Sequence, residues 1–147
     1  MKKSDILKKA GLRATAARIK ILQIFEKGRQ PFKQQHMSAE DVYKILLKDK
    51  EEIGLATIYR VLAQLESAGF LIRHNFEGTQ ALYELNDGEH HDHLVCTNCG
   101  ELDEFFNEII EEQQHKVSLK KGFKMTGHSL TIYGTCAKCL KKENTPQ

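Results

Sequence analysis

Four cysteines fall in two pairs, Cys96-Thr-Asn-Cys99 and Cys136-Ala-Lys-Cys139, with 36 residues between the pairs. Each CxxC turn sets two thiolates on one side of a tight loop. Two such turns complete a tetrahedral all-sulfur site that suits zinc and leaves no position open for a substrate. A closed site of this kind is structural, and on the zinc-finger precedent contributes on the order of 10 kcal/mol of apparent binding energy at neutral pH. The N-terminus, Met1-Lys2-Lys3-Ser4-Asp5, has no apolar stretch behind it, so a reducing, cytoplasmic setting is expected and a disulfide framework is not.

The second chemical feature is Glu89-His90-His91-Asp92-His93. On a strand, side chains alternate faces, so His91 and His93 point one way while His90 and Asp92 point the other. One tetrapeptide can therefore feed two metal sites, and mixed imidazole and carboxylate donors suit borderline divalent metals such as iron, zinc or manganese. Candidate completing ligands are Glu104 and Glu111, seven residues apart and expected on one helical face, with His128, Glu84 and the loop residue His36. His74 and His115 have no such company and are expected to serve surface or packing roles.

These residues need elements to hold them. The chain has 147 residues, 40% of them hydrophobic, which is enough for one ordinary domain or two small ones. No apolar run approaches the ~18 residues that span a bilayer, so a soluble protein is expected. The net charge of +2 conceals two unlike halves: 15 Lys and Arg against 10 Asp and Glu up to Asn86, then 7 against 10 from Asp87 onward. All four cysteines and five of the seven histidines also lie in the second half. A basic half points to a nucleic-acid partner, an acidic half to cations.

In the first half, Thr15 can cap a helix from Ala16 to Phe25 that buries Ile21, Ile24 and Phe25. A polar loop from Gly28 to Met37 follows, then Ser38-Ala-Glu-Asp41 reads as a capping box for a helix with Ala39, Val42, Ile45 and Leu46 inward. Gly54 opens a third helix with Leu55, Ile58, Leu62 and Leu65 on its buried stripe, and Gly69 stops it. Strands from Phe70 to Phe76 and from Gln80 to Leu85 form a hairpin around Glu77-Gly78-Thr79. Three helices and a hairpin in this order read as a winged helix-turn-helix. Thr57, Tyr59, Arg60 and Gln64 line the third helix's other face, where Arg60 can read base edges by paired hydrogen bonds and Tyr59 by apolar contact.

Asn86-Asp87-Gly88 is the expected boundary, giving domains 1–86 and 87–147. Beyond it the pattern predicts a strand from His91 to Cys96, a helix from about Glu104 to Lys121 burying Phe106, Ile109, Ile110 and Val117, and a strand from Phe123 to Tyr133 with a bulge at Gly127. Lys141 to Gln147 reads as a frayed polar tail. The class is α+β: a winged helix followed by a small α/β domain.

Five blocks together resemble the ferric uptake regulator (Fur) family. They are Ala10-Gly-Leu-Arg-Ala-Thr15-x-x-Arg18, Glu51-Glu-Ile-Gly-Leu-Ala-Thr-Ile-Tyr-Arg-Val-Leu62, Arg73-His-Asn-Phe-Glu-Gly78, His91-Asp-His93-Leu-x-Cys96-x2-Cys99-Gly100 and His128-Ser-Leu-x-Ile-Tyr-Gly-x-Cys136. The third block is similar to the iron-sensing branch in particular. The resemblance implies a dimeric, metal-activated transcriptional repressor whose C-terminal α/β domain dimerises. It aligns Cys96, Cys99, Cys136 and Cys139 with a structural Zn(II) site. It aligns His36, Glu84, His91, His93 and Glu104 with a regulatory Fe(II) site between the domains, where Mn(II) or Zn(II) can substitute, and His90, Asp92, Glu111 and His128 with a further site. It puts Thr57, Tyr59 and Arg60 on the recognition helix, and Arg13 and Arg18 in the DNA-binding set, Arg13 entering the minor groove of A·T-rich palindromic operators of iron-uptake genes. The implied partners are double-stranded DNA and a second copy of the chain, with higher oligomers open and no membrane. Rival readings are a zinc-uptake regulator or a peroxide sensor of the same superfamily, the latter tending to carry aspartate where Glu104 stands. From another class, a small metallohydrolase would need an open metal position and a spare catalytic base.

Overall fold

A computed structural model describes residues 2–27, 36–86 and 90–143, and the chain divides into two compact units, Met1–Gly88 and Glu89–Gln147. The expected boundary at Asp87-Gly88 and most of the Gly28–Met37 loop lie outside the described residues.

The first unit is built from α1 (Lys3–Lys9), α2 (Ala16–Lys27), α3 (Ala39–Lys48) and α4 (Leu55–Ser67), followed by β1 (Leu71–His74) and β2 (Leu82–Leu85). Thr15 Oγ1 accepts from the Arg18 N–H at the start of α2, the role expected of it. Ser38 and Asp41 close a reciprocal capping box on α3, at 3.1 and 3.0 Å. Gly69, at φ +85°, ends α4 while the N–H groups of Gly69 and Phe70 satisfy the carbonyls of Glu66 and Leu65. The core gathers Ile21, Leu22, Phe25, Val42, Leu46, Ile58, Leu62 and Leu65, all essentially inaccessible to solvent. Ile24, Ile45 and Leu55, expected inside, are only half-buried and pack around that core. The helix α1 has no counterpart in the sequence reading; its single buried residue, Leu7, is too little to set up a periodicity.

The wing is an antiparallel pair with Ile72 opposite Glu84 and His74 opposite Leu82. Met37 adds a one-residue bridge to the free side of β2, exchanging backbone hydrogen bonds with Tyr83 at 2.9 and 2.8 Å. The strands are shorter than expected mainly beside the turn, β1 stopping at His74 and β2 starting at Leu82, while β2 ends at Leu85 as expected.

The second unit holds β3 (Asp92–Cys96), β4 (Leu102–Phe105), α5 (Glu108–Lys120), β5 (Thr131–Gly134) and α6 (Ala137–Glu143). The sheet order is β4-β3-β5, antiparallel on one side of β3 and parallel on the other. The parallel pairing requires a long crossover, and α5 lies within it. Three expectations are corrected here. The helix foreseen from Glu104 begins at Glu108, because Leu102–Phe105 pairs with β3 and Asn107 Oδ1 caps α5 by accepting from Ile109 and Ile110 N–H. Glu104 and Glu111 therefore do not share a helix face. The strand foreseen from Phe123 is confined to Thr131–Gly134, so Gly127 is not a bulge; the shift in apolar parity marks where regular structure is absent. Phe106, Ile109 and Val117, expected to be buried, are exposed, and Ile110 is half-buried. Among the described residues no helix is long and apolar enough to cross a membrane.

Candidate functional site

The sheet of the second unit delivers all four thiols to one place. Cys96 ends β3, the following turn returns Cys99 beside it, and the parallel partner of Cys96 is Gly134, two residues before Cys136. One turn of α6 then brings Cys139. The Cys96 and Cys139 sulfurs lie 3.8 Å apart, and those of Cys99 and Cys136 3.7 Å. A tetrahedron of sulfurs about 2.3 Å from a central zinc has edges of about 3.8 Å, so the four thiols fit the metal as they stand. None is in a disulfide. Backbone N–H groups of Cys99 and Cys136 donate to Cys96 Sγ at 3.5 and 3.3 Å. These bonds hold the Cys96 thiol down to about 6. The other three thiols are pushed above their ordinary value. The largest single influence on each is a bond that lowers it, from the Glu101 backbone to Cys99, the Cys139 backbone to Cys136 and the Asn98 side chain to Cys139, and one neighbouring thiol lowers each as well. Burial and bonds with the remaining thiols outweigh these.

Alternation along the strand separates the histidines as expected. On one side, His90 Nε2 lies 3.2 Å from both Asp92 Oδ1 and Glu111 Oε1, and His128 Nε2 is 3.2 Å from the same glutamate oxygen. One donor atom from each of these four residues lies within 4.8 Å of all the others. Asp92 is fully buried, and its Oδ2 has no hydrogen-bond donor. An uncompensated buried carboxylate oxygen amid imidazoles fits a cation, since leaving it bare is costly. On the other side, His93 sits directly across the sheet from Glu104, the His91 and His93 rings are 5.0 Å apart, and His91 Nε2 is 3.5 Å from Glu104 Oε1. Two imidazoles and a carboxylate again make a donor set for a borderline divalent ion.

The first unit carries a donor group of its own. The Met37–Tyr83 bridge puts His36 across from Glu84, with His36 Nε2 3.0 Å from Glu84 Oε2. Glu84 is only 1% exposed. Its other oxygen, Oε1, is 2.6 Å from Nε2 of His74. His74, expected in a surface or packing role, packs its ring on Phe76 and also engages this carboxylate. Its place two residues along β1 from Ile72, which faces Glu84, is set by the hairpin register and carries no signal in the sequence alone. His115, by contrast, is exposed.

On α4, Arg60 is exposed, Thr57 half-buried and Tyr59 46% exposed. The Tyr59 hydroxyl donates to Glu40 Oε1 at 2.6 Å, and this bond pushes the phenol above its ordinary pKa. Arg18 is committed within the unit: Nε and Nη2 donate to Gln64 Oε1 at 3.1 and 2.8 Å, while Nη1 donates to the Arg13 carbonyl at 2.9 Å. The guanidinium thus ties the start of α2 to α4 and fixes the backbone from which the exposed Arg13 side chain projects.

The chain is similar to known proteins along nearly its whole length. The ferric uptake regulation protein of Legionella pneumophila is 54% identical over 139 residues, spanning 95% of this chain and 99% of that protein. The crystal structure of the Vibrio cholerae ferric uptake regulator, described in terms of rearranged DNA-binding domains, is 47% identical with a TM-score of 0.82, covering 92% and 100% of the two chains. The Francisella tularensis ferric uptake regulator, solved with iron, is 40% identical with a TM-score of 0.82, covering 88% and 96%. The sequence model of the ferric uptake regulator family matches residues 9–133, nearly the whole length that the motifs span, and the chain belongs to that family.

Proposed function

We propose that the chain is an Fe(II)-responsive transcriptional repressor, acting in the cytoplasm as a homodimer on palindromic, A·T-rich operators of iron-uptake genes. The observation that carries this reading is the donor chemistry: a closed four-thiol cluster stands apart from imidazole and carboxylate sets suited to a metal that comes and goes. In this reading Cys96, Cys99, Cys136 and Cys139 hold structural Zn(II). His36, Glu84, His91, His93 and Glu104 are the ligands of the regulatory metal, Fe(II), with Mn(II) or Zn(II) able to substitute. His90, Asp92, Glu111 and His128 hold a further ion. The reading is of a regulator and not an enzyme: the thiol cluster leaves no open position, and the imidazole and carboxylate residues are all taken as metal ligands with no spare catalytic base.

His36 and Glu84 hang from the strand pairing of the wing, so holding them constrains the winged helix that carries Arg13, Thr57, Tyr59 and Arg60. Arg18 keeps Arg13 in place for the groove. By reciprocity, operator DNA must tighten metal binding by the same factor by which metal tightens DNA binding.

The test is an anaerobic titration of Fe(II), Mn(II) and Zn(II) against a labelled A·T-rich palindrome, with oligomer mass recorded. Metal-dependent binding is expected, reduced at saturating metal by Arg60→Ala and with its metal dependence weakened by His36→Ala. A His36→Ala protein that responds to Fe(II) as the parent does refutes the regulatory assignment.

A further inference from the structure

We propose that His74 is a positioning residue for the regulatory metal: its imidazole holds one oxygen of Glu84 so that the other faces the metal in a fixed direction. The inference rests on the reading of Glu84 as a metal ligand. It begins with the burial of that carboxylate, which at 1% exposure must have both oxygens matched. The two oxygens have different neighbours. Oε2 faces His36 Nε2 at 3.0 Å, and Oε1 faces His74 Nε2 at 2.6 Å.

The two histidines are held differently. His36 lies across from Glu84 on the short bridge, its Nε2 beside Oε2. His74 lies on β1, diagonal to Glu84, and its ring stacks flat on Phe76, with centroids 5.1 Å apart and planes within 6°. Phe76 is itself buried. A stacked ring cannot turn without losing that contact, so the direction of its Nε2 is set by β1 and the residues after it. The consequence falls on Glu84. With Oε1 engaged, the carboxylate cannot swing to present both oxygens to one ion, and its side-chain torsion is settled before any metal arrives. Outer partners of this kind change metal affinity by about 10- to 100-fold when removed.

The experiment uses full-length, zinc-loaded protein with Co(II) as the probe. His74→Ala, His74→Gln and Glu84→Ala are titrated by visible absorption, zinc content is measured, and the exchangeable imidazole N–H signals of bound Co(II) are counted by NMR. His74→Ala is expected to weaken Co(II) binding about 10- to 100-fold. Zinc content and the number of shifted imidazole signals should stay as in the parent. His74→Gln should regain most of the affinity, because its amide N–H can donate to Oε1. Unchanged affinity in His74→Ala, or a glutamine variant no better than alanine, overturns the proposal. The loss of one imidazole signal overturns it too, by making His74 a ligand. Glu84→Ala that binds Co(II) like the parent is a separate failure, of Glu84 as a ligand, whatever His74 does.

Discussion

Among the four zinc thiols, Cys96 is set apart by two backbone N–H donors, and it alone is held down to about 6. Metal binding displaces whatever protons the thiols still carry. At about pH 7.5, Cys96 is already a thiolate while its three neighbours, pushed above the ordinary value, are protonated, so zinc uptake by metal-free reduced protein should release about three protons. As pH falls through about 6, Cys96 regains its proton and the release should rise toward four. Zinc affinity then falls more steeply with acid below that point than above it. Calorimetry in buffers of different ionisation enthalpy measures the count; four protons at neutral pH would mean that the backbone bonds do not set Cys96 apart. The thiol and histidine clusters were legible because their information is local. Spacing of two residues defines a knuckle, and alternation along one strand separates His91 and His93 from His90 and Asp92. His74 was not legible. Its partner Glu84 lies ten residues away on the neighbouring strand, and only the hairpin register joins them.

The helix α5 shows where periodicity misleads. Its apolar residues recur at helical spacing, which predicts an inward stripe, yet none of its residues is buried; Ile109 is 69% exposed and Val117 59%. Period records which residues share a face, not which surface covers it. A helix with this face open is expected to meet a second copy, because patches of this kind on a stable monomer are uncommon. Val117→Asp should therefore leave the secondary structure of the chain intact while shifting its mass toward monomer in analytical ultracentrifugation. A variant that stays dimeric removes α5 from the interface. The start of α5 was misplaced for a different reason. Leu102–Phe105 is four residues long and carries two acids, too short and too polar to register as a strand without β3 beside it. The helices α1 and α6 were likewise missed because each buries a single side chain, Leu7 or Cys139.

At the scale of the molecule, the two halves read from charge and ligand content correspond to two units with different sources of stability. The first has an apolar core gathered from four helices and the wing. In the second, the buried apolar residues among those described are Val95, Cys96 and Cys139, two of them zinc thiols. With so little core, a domain of this size is expected to lean on its metal site and, in the proposed dimer, on a second copy. The α+β class and the order of the winged helix were legible because helix stripes, caps and Gly69 each marked one element. What the proposed regulator reads in DNA follows from a contact already described. The Tyr59 hydroxyl is committed to Glu40. What α4 extends toward a groove at that position is therefore a hydrocarbon ring edge, which answers to the C5-methyl of thymine rather than to a hydrogen-bonding group on the base. Replacing the contacted thymine by uracil, which removes only that methyl, should weaken operator binding by about 0.8 kcal/mol, or about fourfold. The same replacement elsewhere in the operator should do nothing, and the protein would then distinguish two bases with identical Watson–Crick edges.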